Sequence, residues 1–174
     1  MGATAAPESP IPAYDRDEWH SRWYDLDGDC QDTRQEVLIA ESTTEPVMDE
    51  KGCRVVSGTW EDPYTGKTFT VPGDLDIDHF IPLRNAHYSG GWAWDQDKRK
   101  AFANDLEDPT TLIAVDKSAN RSKGARGPDE WMPSNGVYQC KYLRIWLDLK
   151  QKWGLSLTAA EARYIAKREC AYAL

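Results

Sequence analysis

Asp76-Ile77-Asp78-His79-Phe80-Ile81-Pro82-Leu83 is the stretch on which the reading of this chain turns. An acid and an imidazole stand side by side inside a short apolar run. A carboxylate can hold a hard cation, and a histidine with an ordinary pKa of about 6.5 can take a proton at working pH. Leu75 to Ile81 has the length and composition of a short strand that ends at Pro82. Adjacent strand residues point to opposite faces, so Asp78 and His79 can share one site only where the strand ends or bends.

A second stretch, Thr111 to Gly124, reads as its partner. Leu112 to Val115 is a short strand. Asp116 to Lys123 is a short helix with Asp116 near its start and Gly124 as its stop. Asn120 offers a neutral amide oxygen as a second metal ligand. Arg121 and Lys123 behind it, and Lys117 at the head of the helix, are candidates to hold phosphates. Between Lys117 and Arg126 there are four basic residues and no acid.

The rest of the chain frames these two stretches. Residues 1–13 are rich in Ala and Pro and read as a disordered lead; residues 14–174 read as one domain. Thr33 to Ala40 is a predicted helix with Asp32 or Thr33 as its cap. Cys53 to Trp60 and Lys67 to Val71 are predicted strands, joined into a hairpin by the turn Asp62-Pro63-Tyr64-Thr65-Gly66. Asn85 to Gly91 is a helix end or loop, and Asp95 to Asn104 a helix. Two longer helices, Val137 to Trp153 and Thr158 to Cys170, are joined by a short turn, with Thr158 and Glu161 spaced as a capping box. The fold class is therefore α+β.

Composition narrows the function classes. The chain has 174 residues, of which 40% are hydrophobic and 29% charged, as in a soluble globular protein. No apolar run approaches the roughly 18 residues of a membrane span. The net charge of −8 argues against a protein that coats nucleic acid by charge alone, so contact with nucleic acid requires a local basic patch or a bound cation. Asp25, Asp27 and Asp29 alternate like the start of a calcium loop, but the Gly and the closing Glu of that loop are not in place. A structural Ca²⁺ is the less favoured reading there, and an acidic turn the favoured one. The eight Trp are expected mostly in the core, with Trp92 and Trp94 as candidates to stack on bases. His87 is assigned a structural or substrate-edge role.

Cys30, Cys53, Cys140 and Cys170 are dispersed, with no C-x-x-C pair, which suits two disulfides in an oxidising compartment. Three pairings are open from the sequence. Cys140 and Cys170 fall at the open end of the helical hairpin and are predicted to bond, leaving Cys30 for Cys53. Met1 to Pro12 holds no apolar signal core, and the expectation is a mature, secreted, extracellular chain with its signal removed.

The ordered set of motifs resembles the HNH nucleases with their ββα-metal (His-Me finger) fold, and most specifically the secreted actinobacterial members of that family. The residues that carry the resemblance are Tyr14 to Arg16, Asp29 to Arg34, Asp62 to Gly66, Ile77 to His79, Asn120 to Gly124, and Pro128 to Trp131. The resemblance implies that His79 is the general base, that Asp78 and Asn120 ligate Mg²⁺ or Mn²⁺, and that the substrate is DNA, with RNA as a second candidate. The residue that orients the base in the family is a middle Asn. Thr110-Thr111 stands in that place, so Asn104 or a backbone carbonyl is expected to act instead. Arg34 is a candidate for the scissile phosphate. A monomer acting with little sequence specificity is expected. The rival readings are a ribonuclease or structure-selective nuclease on the same site, and a non-catalytic secreted module that binds through its Trp residues.

Overall fold

A computed structural model of the protein describes residues 10–19, 22–168 and 170. Residues 1–9 of the expected lead lie outside the described residues, and Pro10 to Ala13 are exposed. The architecture is mixed α/β: the described residues form six short strands in three antiparallel pairs, with helices packed around them. No helix among the described residues is long and apolar enough to cross a membrane.

Helix α1 (Thr33–Glu41) is capped by Asp32, whose side chain accepts from the Gln35 amide. Strands β1 (Val47–Met48) and β2 (Val55–Ser57) form one pair, and β3 (Trp60–Glu61) and β4 (Thr68–Phe69) another. The expected continuous strand from Cys53 to Trp60 is thus split in two. Its first half pairs with β1, which the sequence did not announce, and its end pairs across the Asp62–Gly66 turn. The break falls at Gly58, where a Cβ would sit 2.6 Å from the Trp60 ring and 2.8 Å from Ser42 Oγ. The chain can pass that close to the indole only without a side chain.

The central pair is β5 (Leu75–His79) with β6 (Leu112–Asp116), in register from Leu75 opposite Asp116 to His79 opposite Leu112. Both faces of this hairpin are covered, which explains why β6 is buried at every position. Leu112 and Ala114 join Leu75 and Ile77 against Val37, Leu38 and Trp60. Ile113 and Val115 join the larger cluster on the opposite side, built from Phe80, Phe102, Tyr142, Trp146 and Leu149. The alternation of a two-residue period thus divides one strand between two cores.

Five further helices complete the frame that positions the site. Helix α2 (Leu83–Tyr88) follows Pro82, and α3 (Gln96–Ala103) is capped by Asp95. Helix α4 (Lys117–Lys123) follows β6 directly, with Asp116 as its cap and Gly124 as its end. Helices α5 (Gln139–Trp153) and α6 (Ala159–Ala166) form the expected helical hairpin, and the Thr158–Glu161 capping box is present in full. Cys30–Cys53 and Cys140–Cys170 are the two disulfides. The first ties the acidic turn ahead of α1 to the loop between β1 and β2; the second ties the start of α5 to the chain beyond α6.

The eight indoles divide as composition suggested. Trp19, Trp60 and Trp146 are fully buried, and Trp94 packs on Trp19, Phe102 and Trp153.

Candidate active site

Strand β5 ends at His79, and at that end Asp78 and His79 line the same cleft. The cleft has a volume of about 380 Å³ and is also lined by Asn120 and Arg121 from α4. The condition for a shared site is therefore met by the strand's ending.

His79 is held from two directions. Its Nε2 lies 2.9 Å from the carbonyl oxygen of Ala103. A carbonyl only accepts, so Nε2 carries the proton and Nδ1 keeps its lone pair. Ala103 is the last residue of α3, where helix carbonyls lack an intrahelical partner and are free to accept from elsewhere. Trp23 stacks on the imidazole, with ring centroids 5.2 Å apart and an interplanar angle of 19°. Burial pushes the pKa of His79 down to about 4, opposed by the Ala103 carbonyl. The resting ring is neutral, as a base must be.

Asp78 sits deeper. Its Oδ2 accepts from the Tyr64 hydroxyl at 2.6 Å and is paired with the Lys123 ammonium. Lys123 is fully buried and also donates to the carbonyls of His79 and Phe80 at 3.2 and 2.8 Å. Burial pushes the Asp78 carboxyl up and the Lys123 ammonium down, and each group opposes the shift of the other. The remaining oxygen, Oδ1, has no hydrogen bond among the described residues and is not among the buried unpaired atoms. It is the atom through which Asp78 reaches the cleft. Asn120 Nδ2 donates to Asp76 Oδ2 at 3.2 Å, which fixes the amide and leaves its oxygen unengaged among the described residues. The cleft therefore offers one carboxylate oxygen and one amide oxygen, donors that suit a hard divalent cation.

Four residues singled out in the sequence are placed elsewhere or otherwise engaged. Lys123 is not a surface phosphate group; it is the buried counter-charge of Asp78. Lys117 Nζ donates to the Gly73 carbonyl and does not line the cleft. Arg34 is also outside the cleft lining, with its Nη2 donating to the carbonyls of Pro72 and Leu75 at 2.8 and 3.0 Å, where it braces the entry to β5. Asn104 Oδ1 accepts from the Thr33 hydroxyl at 2.8 Å and the Tyr24 amide at 3.3 Å, joining α3 to α1. The carbonyl beside it, on Ala103, is the one that meets His79. Thr111 stands where the middle Asn was sought, and its hydroxyl donates to Asp105 instead. Of the expected site residues, the cleft gathers Asp78, His79, Asn120 and Arg121.

Sequence reasoning missed Tyr64, Trp23, Arg16 and Arg84. Tyr64 and Arg16 had a signal in the Asp62–Gly66 and Tyr14–Arg16 segments that carried the resemblance, but neither segment showed that its residue reaches the site. His87 is an anchor: its Nδ1 accepts from the Trp19 indole at 3.3 Å, and its Nε2 donates to the Pro12 carbonyl at 2.8 Å. Asp25, Asp27 and Asp29 present oxygens within 4.8 Å of one another. Each already accepts from a backbone amide of the same turn, including Gly28 to Asp25 at 2.7 Å and Gln31 to Asp29 at 2.7 Å.

Fold and site together define a disulfide-stapled α/β protein with an acid–imidazole cleft where a β-hairpin meets a short helix. The chain belongs to the family described as GmrSD restriction endonucleases, C-terminal domain, which it matches over residues 32–168. It is similar to an uncharacterized secreted protein of Arthroderma benhamiae, with 41% identity over 160 residues that span 92% of this chain and 76% of that protein. That relative is fungal and lends no support to an actinobacterial kinship. No solved structure matches the chain.

Proposed function

We propose that the protein is a secreted, metal-dependent endonuclease of the HNH type that hydrolyses phosphodiester bonds in DNA with low sequence specificity, RNA being a second substrate. The β5–β6 hairpin and α4 are read as its ββα-metal core. The observation that carries the reading is how His79 is held: Nε2 meets the Ala103 carbonyl, which can only accept, so Nδ1 keeps its lone pair in a cleft shared with Asp78 and Asn120. Membership in an endonuclease-derived family supports the reaction class. The two disulfides and the secreted relative support an extracellular setting.

In this reading His79 Nδ1 takes a proton from water as the water oxygen attacks phosphorus, and the 3′ oxygen departs on the opposite side. The imidazolium formed is stabilised by the Ala103 carbonyl at the negative end of α3. Asp78 Oδ1 and the Asn120 amide oxygen would hold Mg²⁺ or Mn²⁺, which when bound neutralises charge on the phosphate and leaving oxygen. Lys123 keeps the Asp78 carboxylate fixed and cancels part of its charge, so the affinity for the cation is expected to be weak.

Supercoiled plasmid incubated with the protein and Mg²⁺ or Mn²⁺ tests the reading. Nicked and linear products that disappear with EDTA are expected. A plasmid left intact under every divalent metal tried contradicts it. Asn120→Ala is expected to weaken Mn²⁺ binding, read by the loss of free-ion paramagnetic signal on titration.

A further inference from the structure

The protein carries a net charge of −8, yet its cleft is lined the other way. Arg16, Arg84 and Arg121 line it, and Asp78 is the one carboxylate among the lining residues. Asp78 is already matched by the buried Lys123. The three guanidinium groups come from three separate parts of the chain: the segment ahead of α1, helix α2 and helix α4. Arg121 has a carboxylate at 3.8 Å, on Asp76. Arg16 and Arg84 have no ion pair or side-chain hydrogen bond among the described residues; Arg84 only overlies the Tyr88 ring at 5.9 Å. Both are exposed. Two exposed guanidinium groups at one cleft, with no ion pair among the described residues, suit an anion as their partner.

The segment bearing Arg16 is not a loose end. His87 holds the Pro12 carbonyl, and the Tyr88 hydroxyl accepts from the Tyr14 amide at 3.3 Å. Glu18 pairs with Arg99 at 3.0 Å, and Trp19 is fully buried against the close backbone of Gly91. These contacts strap residues 12–19 across α2 and deliver Tyr14 and Arg16 to the wall of the cleft. The strap lies ahead of residue 32, where the family match begins.

We propose that Arg16 and Arg84 form a phosphate clamp that grips the nucleic-acid backbone beside the reactive position, making the strap part of the substrate site. The proposal rests on the nuclease reading above. Guanidinium forks suit phosphate oxygens, and two of them in the cleft of His79 can hold phosphates on either side of the one attacked. The clamp therefore favours a polynucleotide over a mononucleotide.

The test is binding in EDTA, where no metal-dependent cleavage intervenes. Anisotropy of a fluorescein-labelled 16-base-pair duplex is followed between 25 and 200 mM salt. Arg16→Ala and Arg84→Ala are each expected to weaken binding about five- to twenty-fold and to lower the slope of log K against log salt by about one. Arg144→Ala, on α5 outside the cleft lining, removes the same charge and is expected to change neither. Unchanged affinity in the two cleft variants overturns the clamp. So does an equal loss in all three, which would show diffuse charge, or an absence of duplex binding by the wild type at 25 mM salt. A mononucleotide that competes as well as the duplex overturns the preference for a polynucleotide. The nuclease reading fails separately, if the wild type leaves plasmid uncut with divalent metals.

Discussion

Lys123 occupies a position that few lysines do, with no exposed side-chain surface and its charge spent on Asp78 and two main-chain carbonyls. Removing one partner of such a pair leaves a buried charge uncompensated. Lys123→Met is expected to cost about 3–5 kcal/mol in urea unfolding, whereas Tyr64→Phe, which removes one hydrogen bond to the same carboxylate, should cost about 1–2 kcal/mol. A Lys123→Met variant as stable as the wild type would mean that Asp78 is not held as a carboxylate. Glu41 provides the pH dependence. Burial pushes its pKa up to about 7, against the hydrogen bond it accepts from the Ala114 amide. A carboxyl raised in the folded state contributes stability below its unfolded pKa and loses it as pH rises through the folded value. Between about pH 4.5 and 7.5 the loss is on the order of 3 kcal/mol. Glu41→Gln keeps an acceptor for Ala114 and cannot ionise. It should match the wild type near pH 4 and exceed it by about 1–3 kcal/mol at pH 8. A wild type that stays the more stable at pH 8 contradicts the assignment. At this scale the acid–imidazole pair, a common dipeptide by itself, was legible only because Asn120 and the basic turn after it follow in order. The burial of Lys123 was not, because a lysine in a basic stretch belongs at the surface by default. Nor was the orienting group of His79, since every residue has a carbonyl and only the end of α3 makes the Ala103 carbonyl available.

Elements were legible where a local signal fixed an end. The cap of α1, read as Asp32 or Thr33 and found to be Asp32, the helix start at Asp95, the Thr158–Glu161 box and Gly124 after α4 are all set by side-chain or backbone devices that act within a few residues. The strand break was hidden because Gly58 is required by a contact made in three dimensions, with Trp60 and Ser42. Strand β1 was hidden for a related reason: two residues carry no alternation. Gly58→Ala should destabilise by about 1–3 kcal/mol as the indole and Ser42 are pushed aside. Thr158→Ala removes a cap and should cost about 1 kcal/mol. Thermal unfolding of the two variants separates the effects; a Gly58→Ala protein with an unaltered midpoint would deny the close approach.

Over the whole molecule, two disulfides with sequence separations of 23 and 30 tie the acidic turn to the loop between β1 and β2 and close the open end of the C-terminal helical hairpin. Loops of that size are each expected to be worth about 3–4 kcal/mol through the unfolded chain. The paired variant Cys140→Ser/Cys170→Ser should lose that much in urea unfolding while leaving the cleft, which no residue of α5 or α6 lines, able to bind duplex. The cleft itself is assembled from parts distant in sequence: the strap, the end of β5, the start of α2 and the body of α4. That explains why Arg16 and Arg84 were not found by spacing, and why a family match that begins at residue 32 omits one of its walls. The account as a whole rests on His79 Nδ1 acting on water. Single-turnover cleavage of a duplex by His79→Ala with Mn²⁺, at protein concentrations that saturate binding, tests this directly. The account predicts binding within twofold of the wild type and a cleavage rate lowered by about 10²-fold or more. A variant that binds and cuts at the wild-type rate would contradict it.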